Sequence, residues 1–350
     1  MAVYIQSAAQ ITIQSPLCDN WFTSPIRREG RYFRSMEPDF KAFIDPMASR
    51  RMGRLLKRAI ASAMTALDGY EAPLDAIVTG TGLGCIETTE KFLNAMLRDG
   101  EQALPPSFFM QSTHNTIGSV IAQRLKCHGY NNTFTHRGTS FDCALQDALA
   151  QFELNDIFSA LVCANDEMTE AYFQLFDQIG YWKAEEVTEA MFHHPTSEGS
   201  FAGEVSAAFL LNTQPSQQTL CRIEGLEVLF EPTDERFRQA VEALLGKAGI
   251  TREEVDAVVC GYNADRTNDE VYTRRLTPLF PQTTQIYYKH LFGEGFSASA
   301  MGYYVAATCL KRGEIPAHIR YKEGKTAQPK HILVYNHFQD KDHSIALLSC

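Results

Sequence analysis

Residues 128–148 read HGYNNTFTHRGTSFDCALQDA, and this stretch carries the most informative structural signals of the chain. Gly129 precedes a short segment typical of a β-strand, and a sharp turn follows around Gly138. A helix then begins, in which the pattern Ala-Leu-x-x-Ala starts at Ala144 and marks one helical face. The stretch therefore predicts a strand, a tight turn and a helix in direct succession.

Length and composition indicate a globular protein with a large core. The chain has 350 residues, of which 45% are hydrophobic and 21% are charged, and this suits two subdomains or one large α/β unit. The segment from Met1 to Gln6 lacks a basic stretch followed by an apolar block, so no signal peptide is expected. No apolar run approaches the ~18 residues of a membrane span. These features favour a cytoplasmic protein.

The cysteines and the charge argue against several kinds of function. The nine cysteines are scattered and form no Cys-x-x-Cys pair, so they predict reduced thiols rather than a zinc site. No metal and no cofactor are expected. The formal net charge of −10 disfavours binding to nucleic acid or to an anionic membrane.

Strands and helices alternate along the sequence. The pattern predicts a helix from Met47 to about Leu67 and a buried strand from Asp75 to Gly80. Segments 207–212 and 222–228 are predicted to be adjacent strands, and 332–348 is typical of a closing hairpin. This alternation predicts layered α/β sheets with helices outside.

Four segments, in their order and spacing, resemble motifs of the β-ketoacyl synthase family. They are Phe43–Met52, Asp75–Thr88, Leu104–Gly118 and Phe201–Glu204. With these segments, the resemblance spans most of the chain. It includes the elbow of 128–148, because the family carries its nucleophilic cysteine in an elbow of this kind. It implies a thiolase-like fold of the α/β class, in which two related α/β halves form a layered αβαβα core. Residues 1–214, with the elbow, are expected to form one half and 215–350 the other, together one compact unit.

The family's catalytic residues are a cysteine and two histidines, and this chain lacks all three. The cysteine holds the acyl chain as a thioester, and the histidines assist decarboxylation of malonyl and stabilise the enolate oxygen. In register with the family motifs, the cysteine position is Gly138, nine residues after Gly129, and the histidine positions are Gly261 and Glu294. Lys289 is retained and is expected to form an ion pair with Glu294 or with another acid.

The family's glycine-rich loop beside the active site is also changed. Residues 336–344 read NHFQDKDHS and contain no glycine. We expect the loop to lose the backbone freedom that glycine gives. Four departures in one site indicate that the site is not used for catalysis.

The resemblance is closest to chain-length factors, which are ketosynthase-like subunits without the catalytic cysteine. It implies pairing with a catalytic ketosynthase, contact with an acyl carrier protein, and a role in fatty acid or polyketide biosynthesis. The short chain is most similar to subunits of aryl polyene or flexirubin-type pathways. The strand at about 130–136 is expected at the dimer interface. Candidates for the wall of the partner's acyl tunnel are Phe108, Phe109, Met110, Phe134 and Phe141. Ordinary core packing is the alternative role for these side chains.

Two other functions stay open from the sequence. One is an active 3-oxoacyl-[acyl-carrier-protein] synthase, an acyltransferase that performs a decarboxylating Claisen condensation with non-standard residues. Its site would use some of His114, His136, Cys143, His194 and His290, although register argues against Cys143 as a displaced nucleophile. The other is a non-catalytic homodimer that binds an acyl chain or a carrier protein. Because carrier proteins are acidic, their binding needs a basic patch on this chain or on a partner.

Overall fold

A computed structural model of the chain describes residues 1–100, 104–324 and 328–350. The strands are β1 (Val3–Ile11), β2 (Tyr32–Phe33), β3 (Ala76–Gly80), β4 (Tyr130–Phe134), β5 (Ser159–Asp166), β6 (Ala202–Gly203), β7 (Val205–Asn212), β8 (Cys221–Phe230), β9 (Ala257–Cys260), β10 (Thr284–Tyr287), β11 (Arg320–Lys322), β12 (His331–Phe338) and β13 (Asp342–Ser349). The α-helices are α1 (Pro46–Ser49), α2 (Arg54–Ala66), α3 (Ile86–Asp99), α4 (Pro106–Ser112), α5 (Thr116–Leu125), α6 (Ser140–Glu153), α7 (Glu170–Gln178), α8 (Glu189–His193), α9 (Asp234–Ala248), α10 (Arg266–Leu276), α11 (Lys289–Phe292) and α12 (Ser299–Arg312). Within these residues, no helix has both the length and the apolar character needed to span a membrane.

The main sheet contains eleven strands in the order β11-β10-β9-β12-β13-β8-β1-β7-β5-β3-β4. Two sets of five strands within it share one internal order. Numbered by chain position within each set, β4-β3-β5-β7-β1 and β10-β9-β12-β13-β8 both run third, second, fourth, fifth, first. Antiparallel pairing of the two first strands, β1 and β8, joins the sets. The chain thus has two related α/β halves, and the boundary at 214/215 stays a prediction.

Alternate residues of the central strands face different helices, which creates five layers. In β3, Ile77 packs with α2 and α5, whereas Ala76 and Val78 face α6 and α12. In β9, Val258 packs with α9 and α10, whereas Val259 again faces the central pair α6 and α12. The result is the layered αβαβα arrangement that the sequence predicted.

The helix predicted from 47 to 67 is in fact two helices. Residues 50–53 separate α1 from α2, and Gly53 is extended at the start of α2, with φ −60° and ψ 161°. The Gln111 side chain holds this connection, because its amide donates to the Arg51 carbonyl (2.7 Å) and its oxygen accepts from the Gly53 N–H (3.4 Å). Apolar periodicity continues across the break, so the pattern alone did not reveal it.

The prediction that 207–212 and 222–228 are adjacent strands is wrong. Strand β1 lies between β7 and β8 and pairs antiparallel with both. Its register with β7 shifts between Ile5 and Ser7, and this irregularity weakens the alternation that identifies a strand. The closing hairpin is confirmed, since β12 and β13 pair along their whole length.

Candidate functional site

Gly138 lies in the elbow between β4 and α6. The elbow is a single 3₁₀ turn, Arg137–Thr139, in which Arg137 has a left-handed backbone with φ 48°. The Ser140 hydroxyl holds the turn, because it accepts from the His136 N–H (2.8 Å) and donates to the Arg137 carbonyl (2.7 Å). The strand, turn and helix predicted from 128–148 are therefore present.

The space beside Gly138 is filled by Phe338, the last residue of β12. A Cβ atom at position 138 would lie 2.6 Å from Phe338 Cδ2 and 2.9 Å from Phe338 Cβ. Phe338 is buried, and its ring meets that of Phe296 edge-on with centroids 5.6 Å apart. A side chain at 138 therefore fits only if Phe338 moves.

Gly261, just after β9, is enclosed in the same way. A Cβ atom there would lie 2.4 Å from Asn336 Oδ1, 2.4 Å from the Tyr272 hydroxyl and 3.1 Å from Lys289 Nζ. All three of these side chains are buried. The Tyr272 hydroxyl accepts from the His337 N–H (3.3 Å), which fixes the tyrosine against β12. An imidazole fits at this position only if these side chains move.

Glu294 forms a buried ion pair with Lys289. Lys289 Nζ lies 2.7 Å from Glu294 Oε2, and the two side chains are 2% and 9% exposed. Asn263 Nδ2 donates to the same oxygen (2.7 Å), and the Gly295 N–H donates to Oε1 (2.9 Å). An ionised carboxylate only accepts hydrogen bonds, so Glu294 cannot donate to an enolate oxygen.

Asp269 holds Asn263 in place beneath this ion pair. Its carboxylate accepts from the N–H groups of Asn263 (3.0 Å) and Ala264 (3.1 Å) and from Asn268 Nδ2 (2.9 Å). Burial raises the pKa of Asp269 to about 7. The carboxylate thus positions the loop that supplies a donor to Glu294.

A cavity of about 580 Å³ opens beside these positions. It is lined by Asn263, Glu294 and Phe338, so it reaches the site from the side of the ion pair. The other charged residues of its wall are Glu198, Asp265, Glu270, Arg274 and Asp340. Because carboxylates outnumber the single guanidinium, the cavity is acidic.

The loop after Phe338 keeps a left-handed backbone without glycine. Gln339 and Asp340 have φ values of 56° and 53°. The Asp340 carboxylate accepts from Arg274 (2.8 Å) and Arg275 (3.1 Å), and these ion pairs fix the hairpin tip. The hairpin turn thus adopts positive φ without glycine, and aspartate tolerates this conformation. The expected loss of backbone freedom stays a prediction.

Four of the five predicted tunnel or interface side chains lie at or near the surface. Phe109 and Met110, on α4, are 59% and 65% exposed. Phe108, in the same helix, is half-buried. Phe134 is half-buried at the end of β4, which is the edge strand of the sheet.

Phe141 is a core residue instead. It is fully buried in α6, and its ring packs against those of Phe209 and Tyr303, with centroids 5.1 and 5.3 Å away. Its neighbours belong to the central layer of the fold. Core packing, the alternative role for the aromatic side chains, is thus the one that Phe141 has.

The residues of the alternative active site are divided among several places in the fold. His290 is buried, stacks on Tyr287 with centroids 3.7 Å apart, and lies 3.0 Å from the His318 carbonyl oxygen. Burial lowers the pKa of His290 to about 3, so the ring is neutral. His114 and His194 are exposed in other connections.

His136 and Cys143 line a second cavity, away from the ion pair. His136 Nε2 lies 3.0 Å from Asp342 Oδ1. Burial, together with Asp142 and Asp342, raises the pKa of Cys143 to about 11. The thiol is therefore protonated at neutral pH and is a poor nucleophile.

The paired five-strand sets and an elbow leading into a central helix define a ketosynthase-type protein. A family model described as the β-ketoacyl synthase N-terminal domain matches residues 24–224, which is more than half of the chain. The chain belongs to the β-ketoacyl synthase family, as the sequence motifs predicted.

Solved structures share this fold over the whole chain. The ishigamide ketosynthase/chain length factor is 17% identical with a TM-score of 0.83, and the match covers 99% of this chain and 98% of that chain. A ketosynthase in complex with its chain length factor, from Xenorhabdus doucetiae, is 15% identical with a TM-score of 0.78 over 99% and 98% of the two chains. The structure of a type II polyketide acyl-carrier protein in complex with its ketosynthase bound to the hexaketide is 11% identical with a TM-score of 0.79. That match covers 100% of this chain and 99% of that chain. No curated protein sequence matches this chain significantly.

Proposed function

We propose that this chain is a chain-length-factor-type subunit, an inactive ketosynthase homologue that pairs with an active ketosynthase. The observation that carries the proposal is the ring of Phe338 in the space beside Gly138. A ketosynthase needs a cysteine side chain there to hold the acyl group as a thioester. With neither a thiol nor room for one, this chain does not form that intermediate.

The rest of the site also disfavours condensation. Gly261 and Glu294 supply no hydrogen-bond donor for an enolate oxygen, and enolate stabilisation requires one. The acidic cavity beside Glu294 repels the carboxylate of a malonyl group. The alternative of an active synthase lacks a nucleophile, because the Cys143 thiol is protonated at neutral pH.

The edge of the sheet offers the surface for the partner ketosynthase. β4 ends the sheet, and in the described part of the chain no strand pairs with its outer edge. Nearby, α5 contacts both β4 and α4, and α4 carries the exposed Phe109 and Met110. An open strand edge beside exposed apolar side chains is typical of a protein interface. We propose that Phe108, Phe109, Met110 and Phe134 form part of the wall of the partner's acyl tunnel across this interface.

Co-expression with a ketosynthase from the same gene neighbourhood is expected to give a stable one-to-one complex. Size-exclusion chromatography with light scattering measures the stoichiometry, and only the complex should condense malonyl units. The variant Phe109→Asp/Met110→Asp is expected to weaken association by about tenfold or more, because it places charges in the interface. Leu154→Asp is a matched control, since Leu154 is 67% exposed at the end of α6. A stable homodimer that does not bind the ketosynthase would instead support the homodimeric binding function.

We also propose an acyl carrier protein as a partner of this complex, in an aryl polyene-like polyketide or fatty acid pathway. The candidate contact, here called the basic patch, is a set of four exposed basic side chains on or beside residues 41–51: Lys41, Arg50, Arg51 and Arg124. Arg124 Nη2 donates to the Phe43 carbonyl (2.9 Å), which places it beside the segment that carries the other three. Ion pairs among the described residues involve other side chains, so the patch stays available to an acidic protein.

Reversing charge in the basic patch is expected to weaken carrier-protein binding. Arg50→Glu/Arg51→Glu should lower the affinity of the complex for its carrier protein by about tenfold at low salt and less at high salt. Isothermal titration at two salt concentrations measures both effects. The control Arg236→Glu/Arg238→Glu changes the same charge on the exposed face of α9. Equal affinity of both variants and the unmodified complex would place the carrier protein elsewhere.

A further inference from the structure

Two cysteines face each other across the ends of β8 and β13. The antiparallel register pairs Leu348 with Ile223 and Ser349 with Arg222. The next pair in this register is Cys350 with Cys221. We propose that Cys221 and Cys350 form a reversible intrachain disulfide, which makes this pair a redox modification site.

The backbone geometry of the pair suits a disulfide. The Cys350 N–H donates to the Lys330 carbonyl (3.0 Å), which lies on the opposite side from β8. The pair is therefore of the non-hydrogen-bonded kind, in which Cα atoms lie about 4.5 Å apart and the side chains are close. A disulfide spans Cα separations of about 4.4–6.8 Å. No movement of the strands is needed.

The side chains point to the same face of the sheet. In a strand, side chains two residues apart share a face. Ile223 lies two residues after Cys221 and Leu348 two residues before Cys350, and both belong to the same core cluster. Cys221 belongs to that cluster as well. Cys350 Sγ now lies 3.5 Å from the Lys330 carbonyl oxygen, so a rotation about its Cα–Cβ bond brings it to Cys221.

Exposure sets the order of the reaction. Cys350 is exposed and Cys221 is buried. Burial is the main cause that raises the pKa of Cys221, and the neighbouring Cys350 raises it further. The Cys350 thiolate attacks oxidised glutathione and releases one glutathione thiolate. The Cys221 thiol gives its proton to that thiolate and attacks the Cys350 sulfur, and the second glutathione leaves as a thiolate. Two protein thiols are oxidised and one glutathione disulfide is reduced.

Treatment of the full chain with oxidised glutathione under native conditions tests the site. Intact-mass spectrometry should show a loss of about two mass units, and non-reducing peptide mapping should find the two cysteines linked. Dithiothreitol should reverse both changes. The urea midpoint of the oxidised form should be higher, because the cross-link restricts the unfolded chain.

Three variants separate the proposed bond from other thiol chemistry. Cys350→Ser, at an exposed position, should abolish the cross-link, and Cys221→Ala should stop the reaction at a glutathione adduct on Cys350. Cys143→Ser is the matched control and should cross-link like the unmodified chain. A stable glutathione adduct on Cys350 of the unmodified chain, a bond to another cysteine, or no oxidation at all would each overturn the proposal.

Discussion

Replacement of Lys289 by methionine is expected to lower the free energy of unfolding by about 3–5 kcal/mol. The change removes the only cation that contacts Glu294 among the described residues, while most of the aliphatic volume stays. The carboxylate is then left buried with only the Asn263 amide and the Gly295 N–H as donors. Urea unfolding followed by circular dichroism measures the loss.

Two controls show whether the loss comes from an uncompensated charge. Lys289→Met/Glu294→Leu removes both charges and should recover most of the stability, since an apolar pair tolerates burial. Lys247→Met breaks an ion pair with Glu153 whose side chains are 66% and 64% exposed, and it should change stability by less than about 1 kcal/mol. If Lys289→Met were as stable as the unmodified chain, the buried pair would not hold the site together.

The fold could be predicted from local sequence signals where these are strong. Helix α9, Asp234–Ala248, carries such signals at both ends, because Thr233 caps its start and Gly249 ends it with a left-handed backbone. The elbow of 128–148 was also predicted from local signals. A turn at a glycine separates a segment with strand character from one with the periodicity of a helix. Strand β1 was missed, because its position between β7 and β8 depends on pairing with distant segments.

The site could be predicted only as a set of positions. Motif register pointed to Gly138, Gly261 and Glu294. Gly138 lies against Phe338 and Gly261 against Asn336, both in β12, and Glu294 shares a cavity wall with Phe338. What fills the space beside the glycines was not predictable, because Phe338 is far from Gly138 along the chain. Residues 336–344 drew attention for their missing glycines, yet the side chains present there occupy the site. The contacts of Asn336 and Tyr272 with Gly261 were missed because they also join positions that are apart in the sequence.

Gly138→Cys is expected to restore neither acylation nor condensation. The new Cβ would lie 2.6 Å from Phe338 Cδ2, so the substitution overpacks the elbow and should lower stability by about 1–3 kcal/mol. Mass spectrometry after incubation with an acyl thioester should find no acyl group on residue 138. Malonyl turnover by this single variant would contradict the proposed inactive role.

The double variant Gly138→Cys/Phe338→Ala tests the space beside residue 138 separately from the donors at positions 261 and 294. Removal of the ring makes room for the thiol, so acylation at residue 138 is expected, while Phe338→Ala alone should stay unlabelled. Carbon dioxide release from malonyl should still be absent, because Gly261 and Glu294 offer no donor to the enolate oxygen. Acylation without decarboxylation would show that the space beside Gly138 and the donors at 261 and 294 fail independently. In that outcome, restoring the residue at 138 alone could not return the proposed inactive site to catalysis.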